Sequence, residues 1–180
     1  LEGQVLYGTT WEKAALTFDV DRSRGETESQ LGLYWQHALT AFWNTRLGGR
    51  HDSNEGFDRN WLGVGFEGLA PYWFETTAML YLGEEGVAEL ALDSEYDVLL
   101  SQRLILQPMV SASLHNKLDP QGQFDSGLSD LTGAVRLRYE ISRRFTPYLG
   151  VEHQHSFGGS AKLVDQVANT VWMAGIKAWF

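Results

Sequence analysis

The stretch Leu128-Ser129-Asp130-Leu131-Thr132-Gly133-Ala134-Val135-Arg136-Leu137-Arg138-Tyr139-Glu140 decides the fold. Read at a period of two, Leu131, Gly133, Val135, Leu137 and Tyr139 fall on one side, and Thr132, Ala134, Arg136, Arg138 and Glu140 on the other. Successive side chains of an extended chain point to opposite faces, so this is a strand with one oily and one wet face. The pattern repeats upstream. In 88–98, Ala88, Leu90, Leu92 and Tyr96 oppose Glu89, Asp93, Glu95 and Asp97; in 103–115, Leu104, Leu106, Val110, Ala112 and Leu114 oppose Arg103, Gln107, Ser111 and Ser113.

Eleven such segments run through the chain, near 2–9, 12–22, 27–38, 40–51, 59–70, 72–82, 87–98, 102–115, 128–141, 145–157 and 169–180. Tight connections at Leu39-Thr40, Ala70-Pro71, Leu100-Ser101 and Ser142-Arg143-Arg144 alternate with longer polar ones at 51–56, 116–124 and 158–168. The segment 161–168 has room for a short helix. An antiparallel meander with turns at one end and loops at the other is how outer-membrane barrels are built. Segments of about 10–14 residues suit tilted membrane-crossing strands, which need about 9–11, whereas soluble strands average about 5–6. Trp43, Tyr72, Phe74, Tyr148, Trp172 and Phe180 are expected on the apolar face near segment ends, as interfacial girdles. The fold class expected is therefore all-β: a transmembrane antiparallel up-and-down β-barrel, one domain over residues 1–180. Bacterial barrels have even strand numbers, so eleven segments imply ten or twelve strands.

Composition narrows the chemistry. The formal charge of −9 argues against a nucleic-acid partner, since phosphate binding needs a basic surface. The absence of Cys excludes disulfides, thiolate metal sites and Cys nucleophiles. The chain starts at Leu1 without a signal peptide and reads as a mature or trimmed fragment. No G-x-S-x-G, H-E-x-x-H or Walker loop is present, and alternation turns Ser156 away from His153 and His155, so no enzyme is expected.

If the apolar face meets lipid, the wet set lines an interior where acids outnumber bases. Ion pairs are expected to fill it, because unpaired charges away from water are costly. The acidic surplus also draws cations. All three Met residues share this inward set: Met79 with Glu75, Thr77 and Tyr81, Met109 with Gln107 and Ser111, Met173 with Gly175. A thioether is a soft ligand suited to Cu(I), or else a filler of gaps. His115 continues the inward set beside a loop. His153 and His155 form an H-x-H pair on the apolar face of their segment. The candidate metal-contacting set is thus Met79, Met109, Met173, His115, His153, His155 and Glu75.

Several blocks carry a resemblance: Gly68-Leu69-Ala70-Pro71-Tyr72-Trp73-Phe74-Glu75, Ser101-Gln102-Arg103-Leu104-Ile105-Leu106-Gln107-Pro108, Ser126-Gly127-Leu128-Ser129-Asp130, Leu137-Arg138-Tyr139-Glu140 and Pro147-Tyr148-Leu149-Gly150-Val151-Glu152. In order and spacing they resemble the C-terminal barrel region of the copper-resistance protein B family. The resemblance implies copper as the metal bound, the cell outer membrane of a Gram-negative bacterium as the location, and lipid bilayer, lipopolysaccharide and periplasmic copper-handling proteins as partners. The Met- and His-rich N-terminal region of that family has no counterpart in these residues. Three roles remain open at this point: copper binding or passage through an acidic lumen, a structural anchor for a copper-binding N-terminal segment, and a small-solute porin.

Overall fold

The computed structural model describes residues 2–23, 26–54, 57–117, 126–142, 144–157 and 168–178. Their strands are β1 (Glu2–Gly8), β2 (Glu12–Ser23), β3 (Glu26–Ala38), β4 (Trp43–Asn54), β5 (Phe57–Ala70), β6 (Phe74–Gly83), β7 (Ala88–Glu95), β8 (Val98–Leu99), β9 (Leu104–His115), β10 (Gly127–Tyr139), β11 (Phe145–Ser156) and β12 (Ala168–Ala178). They form one 12-stranded sheet in which chain order is also spatial order, with the two-residue β8 paired to β9. The pairings from β1 through β5 and from β9 through β12 are antiparallel, and only single helical turns, Pro71–Trp73 and Glu84–Gly86, interrupt the strands among the described residues.

The chain divides into two compact units, each with its own pairing. Unit one, Leu1–Leu69 with Thr77–Leu90, holds β1 to β4, β5 as far as Leu69, most of β6 and the start of β7. Unit two, Ala70–Thr76 with Ala91–Phe180, holds the remainder of β6 and β7 and all of β8 to β12.

The eleven alternating segments correspond to the long strands β1–β7 and β9–β12, and the departures have physical causes. The segment 87–98 is broken at Tyr96 and Asp97. The β8–β9 register, Val98 against Leu106, carries back to place Tyr96 opposite Pro108, and the Tyr96 amide donates to the Pro108 carbonyl at 3.1 Å. Proline has no amide to return, so the ladder lapses there. The polar connection expected at 51–56 is strand over its first four residues: His51, Asp52 and Ser53 stay in β4, paired with Leu31, Gln30 and Ser29, and Asn54 ends that strand, while residues 55 and 56 lie outside the described residues. Tyr148 is not an outward girdle residue. It is opposed by Arg138 and by Gly175, whose missing side chain leaves room for the phenol, and the Arg136 guanidinium sits 5.6 Å from its ring. Tyr72 lies in the turn between β5 and β6 rather than on a strand. Residues 118–125 and 158–167, with the expected polar connections and short helix, and the terminal Trp179-Phe180 lie outside the described residues.

Burial fixes which face is which. Along β3, Tyr34 and Gln36 are each 4% exposed while Leu33 and Trp35 are 61% and 47% exposed. The alternation continues in β5, with Arg59 and Trp61 buried and Leu62, Val64 and Phe66 exposed, and in β10, with Ala134 and Arg138 buried and Leu131, Val135 and Leu137 exposed. Soluble sheets bury their oily face. Here polar side chains and aromatics form the buried inner face, and aliphatic residues cover the outside.

Candidate functional site

On the inner face of unit two, register brings carboxylates beside a thioether. Phe74 and Tyr96 stack at 5.0 Å and the hydroxyls of Thr76 and Ser94 meet at 3.3 Å, so the residues between them, Glu75 and Glu95, stand opposite each other. The β8–β9 register carried back one further step sets Glu95 against Met109. Beyond Met109 the row continues through Ala134 to Glu152. Like charges directly opposite in a sheet repel, and a nearby cation relieves that repulsion. A thioether between carboxylates adds a soft donor to hard ones.

Towards the other end of β9, His115 is six residues from Met109, about 20 Å along the strand. Its Nδ1 lies 2.8 Å from Ser129 Oγ, and both residues are buried. The register shift between Leu128 and Asp130 marks a β-bulge that inserts Ser129 into the inner face. Next to it, Ser156 Oγ donates to Asp130 Oδ1 at 2.6 Å, and Gln154 Nε2 donates to the same oxygen at 3.4 Å. Nearer the turn end, Arg138 is ion-paired with Asp97.

The inner face of unit one is packed and charge-matched. Arg46 pairs with Glu67 at 2.9 Å, and Arg50 with Glu89 at 2.5 Å and Asp52 at 2.9 Å. Met79, 2% exposed, lies against Gly65: a Cβ there would fall 2.6 Å from its sulfur.

The candidate ligands therefore fall in different places. Met79, Met109 and Met173 are all on inner faces, as alternation indicates. Met109 and Met173 do not adjoin: Met173 opposes Gly150, which opposes Arg136 and in turn Gln107. Three strand spacings, about 14 Å along the sheet, separate their strands. Glu75 is exposed near the start of β6, beside Glu95. His153 and His155 are on the outer face. His153 Nδ1 is 2.8 Å from Thr170 Oγ1, and His155 packs edge-on against Phe157 at 4.6 Å. Among the described residues no group of three or more His, Asp or Glu side chains is gathered for chelation. Sequence reasoning missed Ser129, whose inward position depends on a bulge that alternation does not reveal. It also missed the partnership of Tyr34 and Tyr81, whose hydroxyls meet at 3.0 Å; the glycines beneath them were the available signal.

Comparison with known proteins adds context to this geometry. The family model described as Copper resistance protein B precursor (CopB) matches residues 1–180. "Copper resistance protein B" of Escherichia coli is 36% identical over 178 residues, covering 96% of this chain and 60% of that protein. "Copper resistance protein B homolog" of Pseudomonas syringae pv. tomato (strain ATCC BAA-871 / DC3000) is 33% identical over 174 residues, covering 94% of this chain and 59% of that protein. The chain thus spans about three-fifths of the length of these curated relatives. A solved structure described as "NanC porin structure in rhombohedral crystal form" superposes with a TM-score of 0.62 at 11% identity, covering 99% of this chain and 98% of that one. At that identity the likeness shows the fold alone, a porin-type antiparallel β fold.

Proposed function

Given that the chain belongs to the copper resistance protein B family, we propose that it is an outer-membrane β-barrel that takes copper ions onto an acidic, thioether-bearing inner face and passes them across the membrane. The observation that carries this reading is the row Glu75, Glu95, Met109 on the inner face of unit two, with His115 farther along the same strand. Copper is cargo here. Carboxylates concentrate the cation, Met109 offers a soft donor to Cu(I), and the imidazole of His115 is a second station. Stations that bind weakly and lie apart let an ion leave as well as enter. The role is one of binding and passage, not of catalysis.

The exposed oily face supports the membrane setting. At about 3.4 Å per residue the outward run 131–139 is about 27 Å long, or about 21 Å along the normal at a tilt near 40°, close to the roughly 25 Å apolar band of such barrels. Outer-membrane barrels keep their short turns on the periplasmic side, so on this reading the end that carries the turns at 39–42, 71–73 and 100–103 faces the periplasm. On this reading the single barrel faces bilayer lipid and lipopolysaccharide, and periplasmic copper-handling proteins meet it at the turn end, where Glu75 lies.

A second reading has its own support. The packed inner face of unit one suits an anchor that holds a copper-binding segment at the membrane rather than a conduit. Replacing Met79, Met109 and Met173 together by Leu separates the two in reconstituted vesicles. Conduction requires a clear loss of Cu(I) binding or copper flux; unchanged copper behaviour with an intact barrel leaves the anchor. A map of copper sites by anomalous scattering from copper-soaked crystals locates the ligands directly, with Glu95 and Met109 as the expected contacts.

A further inference from the structure

The outward face of unit two carries a pair of side chains for which copper handling has no use. Along β9 to β12 the outward positions are alternate residues, from Leu104 to Leu114, Leu131 to Tyr139, Phe145 to His155 and Ala168 to Ile176, and they include no Asp, Glu, Lys or Arg. In a chain with a formal charge of −9, the imidazoles of His153 and His155 are the only side chains on these rows able to carry positive charge. They stand together at the end opposite the turns: His155 opposes Leu131 and Ala168, and His153 opposes Gly133 and Thr170. His153 and Thr170 are exposed, and His153 Nδ1 lies 2.8 Å from Thr170 Oγ1. His155 is half-buried, its ring held edge-on by Phe157 at 4.6 Å. The carboxylates of the same strands, Asp130 and Glu152, belong to the inner face, where Asp130 accepts from Ser156 Oγ at 2.6 Å. On unit one the outward His51 differs: its Nδ1 meets Asn60 at 2.9 Å and its Nε2 lies 3.8 Å from the Asp58 carboxylate.

Position along the strand selects the partner. His155 faces Leu131, where the outward run 131–139 ends, and His153 stands one outward position inside that limit. Trp172, 74% exposed, is the outward position next to Thr170, and Trp favours the level of lipid headgroups. A cation on the lipid face is costly at the centre of a bilayer and tolerated near its edge. With the turns towards the periplasm, this edge lies in the outer leaflet, whose lipid is a phosphorylated glycolipid. A protonated imidazole donates from both ring nitrogens, so with Nδ1–H given to Thr170 Oγ1 the Nε2–H and the Thr170 hydroxyl hydrogen remain for a phosphate oxygen. Beside them Gly133 has nothing within 4 Å of its Cβ position, which leaves an open notch for the lipid. We propose that His153, His155 and Thr170 form a docking point for lipopolysaccharide through a phosphate of its lipid A. The assignment rests on the outer-membrane reading and is independent of copper passage.

The full chain folded in neutral detergent, titrated with bisphosphorylated lipid A and read by native mass spectrometry, tests the assignment. The parent chain is expected to retain lipid A, and to hold dephosphorylated lipid A about tenfold more weakly, the equivalent of one hydrogen bond to a charged group. His153→Gln with His155→Gln keeps a polar pair without the cations and should weaken lipid A binding by a similar factor. His153→Arg with His155→Arg restores the charge and should retain it. His51→Gln, beside Asp58, should leave it unchanged. Phosphatidylglycerol offers a phosphate on an ordinary phospholipid and should bind less tightly than lipid A. The proposal is overturned by parent-like binding in the glutamine pair with folding confirmed by heat-shifted gel mobility, by equal binding of lipid A with and without its phosphates, or by phosphatidylglycerol that binds as tightly. Flotation of the parent chain with phosphatidylcholine liposomes checks the membrane reading separately: a chain left in the aqueous fraction refutes that reading, whereas a floated chain with no preference for phosphorylated lipid A refutes the docking point alone.

Discussion

Replacing Arg50 by Met tests how the inner face of unit one is held together. The Arg50 side chain is 13% exposed and faces Glu89, 8% exposed, at 2.5 Å and Asp52, 18% exposed, at 2.9 Å. Removing one partner of a buried ion pair costs about 3–5 kcal/mol, because the remaining charge is left without compensation. Here two carboxylates lose their common cation, and the contact with Tyr81 goes too, worth about 0.5–2 kcal/mol. Arg50→Met is therefore expected to destabilise by roughly 4–7 kcal/mol. Glu89→Gln leaves Asp52 on the guanidinium and keeps a hydrogen bond, so about 1–2 kcal/mol is expected. Glu67 is 34% exposed, and solvent screens its pair with Arg46; Glu67→Gln should cost about 1 kcal/mol or less. Urea unfolding in lipid vesicles, followed by tryptophan fluorescence and by heat-shifted gel mobility, ranks the three. If Arg50→Met costs no more than Glu67→Gln, the argument that this face is a charge-matched packed core is wrong.

Val135 lies at the centre of the outward run 131–139, so Val135→Arg should cost about 2–4 kcal/mol in a bilayer, and a cost near zero in lipid would show that this face does not meet hydrocarbon. Gly63→Ala forces a Cβ to within 2.6 Å of the Tyr81 ring and should cost about 1–3 kcal/mol, whereas Gly133 has nothing within 4 Å of its Cβ position and Gly133→Ala should be neutral or slightly stabilising; equal effects would refute the inner-outer assignment. Pro108→Ala supplies the missing donor opposite Tyr96. The amide introduced at 108 should resist hydrogen exchange, and stability should rise by about 0.5–1 kcal/mol; rapid exchange would mean that proline is not what interrupts β7.

Much of this fold was legible because alternation is a local signal. Strand positions and facing follow from pairs of residues two apart, and the inverted burial follows from the ionic character of the wet set. Legibility failed where a second strand decides the outcome. The run His51-Asp52-Ser53-Asn54 is polar on both faces and reads as loop, yet its backbone partners on β3 and β5 keep it in the sheet. Tyr148 looked like a girdle residue by composition; its facing is set by Arg138 and Gly175. Glycines 48 and 63 read separately as punctuation, and only register shows that they are adjacent. Of the candidate ligands, the inward facing of the methionines was visible in the sequence. Their spacing around the sheet was not, since that depends on which strands lie between them.

The two faces of this wall set different limits on substitution. An outward position such as Val135 or Leu137 needs only to remain oily, so it drifts among aliphatic residues independently of its neighbours. An inward position such as Arg50 is tied to Glu89, Asp52 and Tyr81 at once, and substitution there succeeds only when partners change with it. Across related proteins the outside should therefore wander singly while the inside moves in linked sets, and reversing the charges of Arg50 and Glu89 together should be tolerated better than reversing either alone.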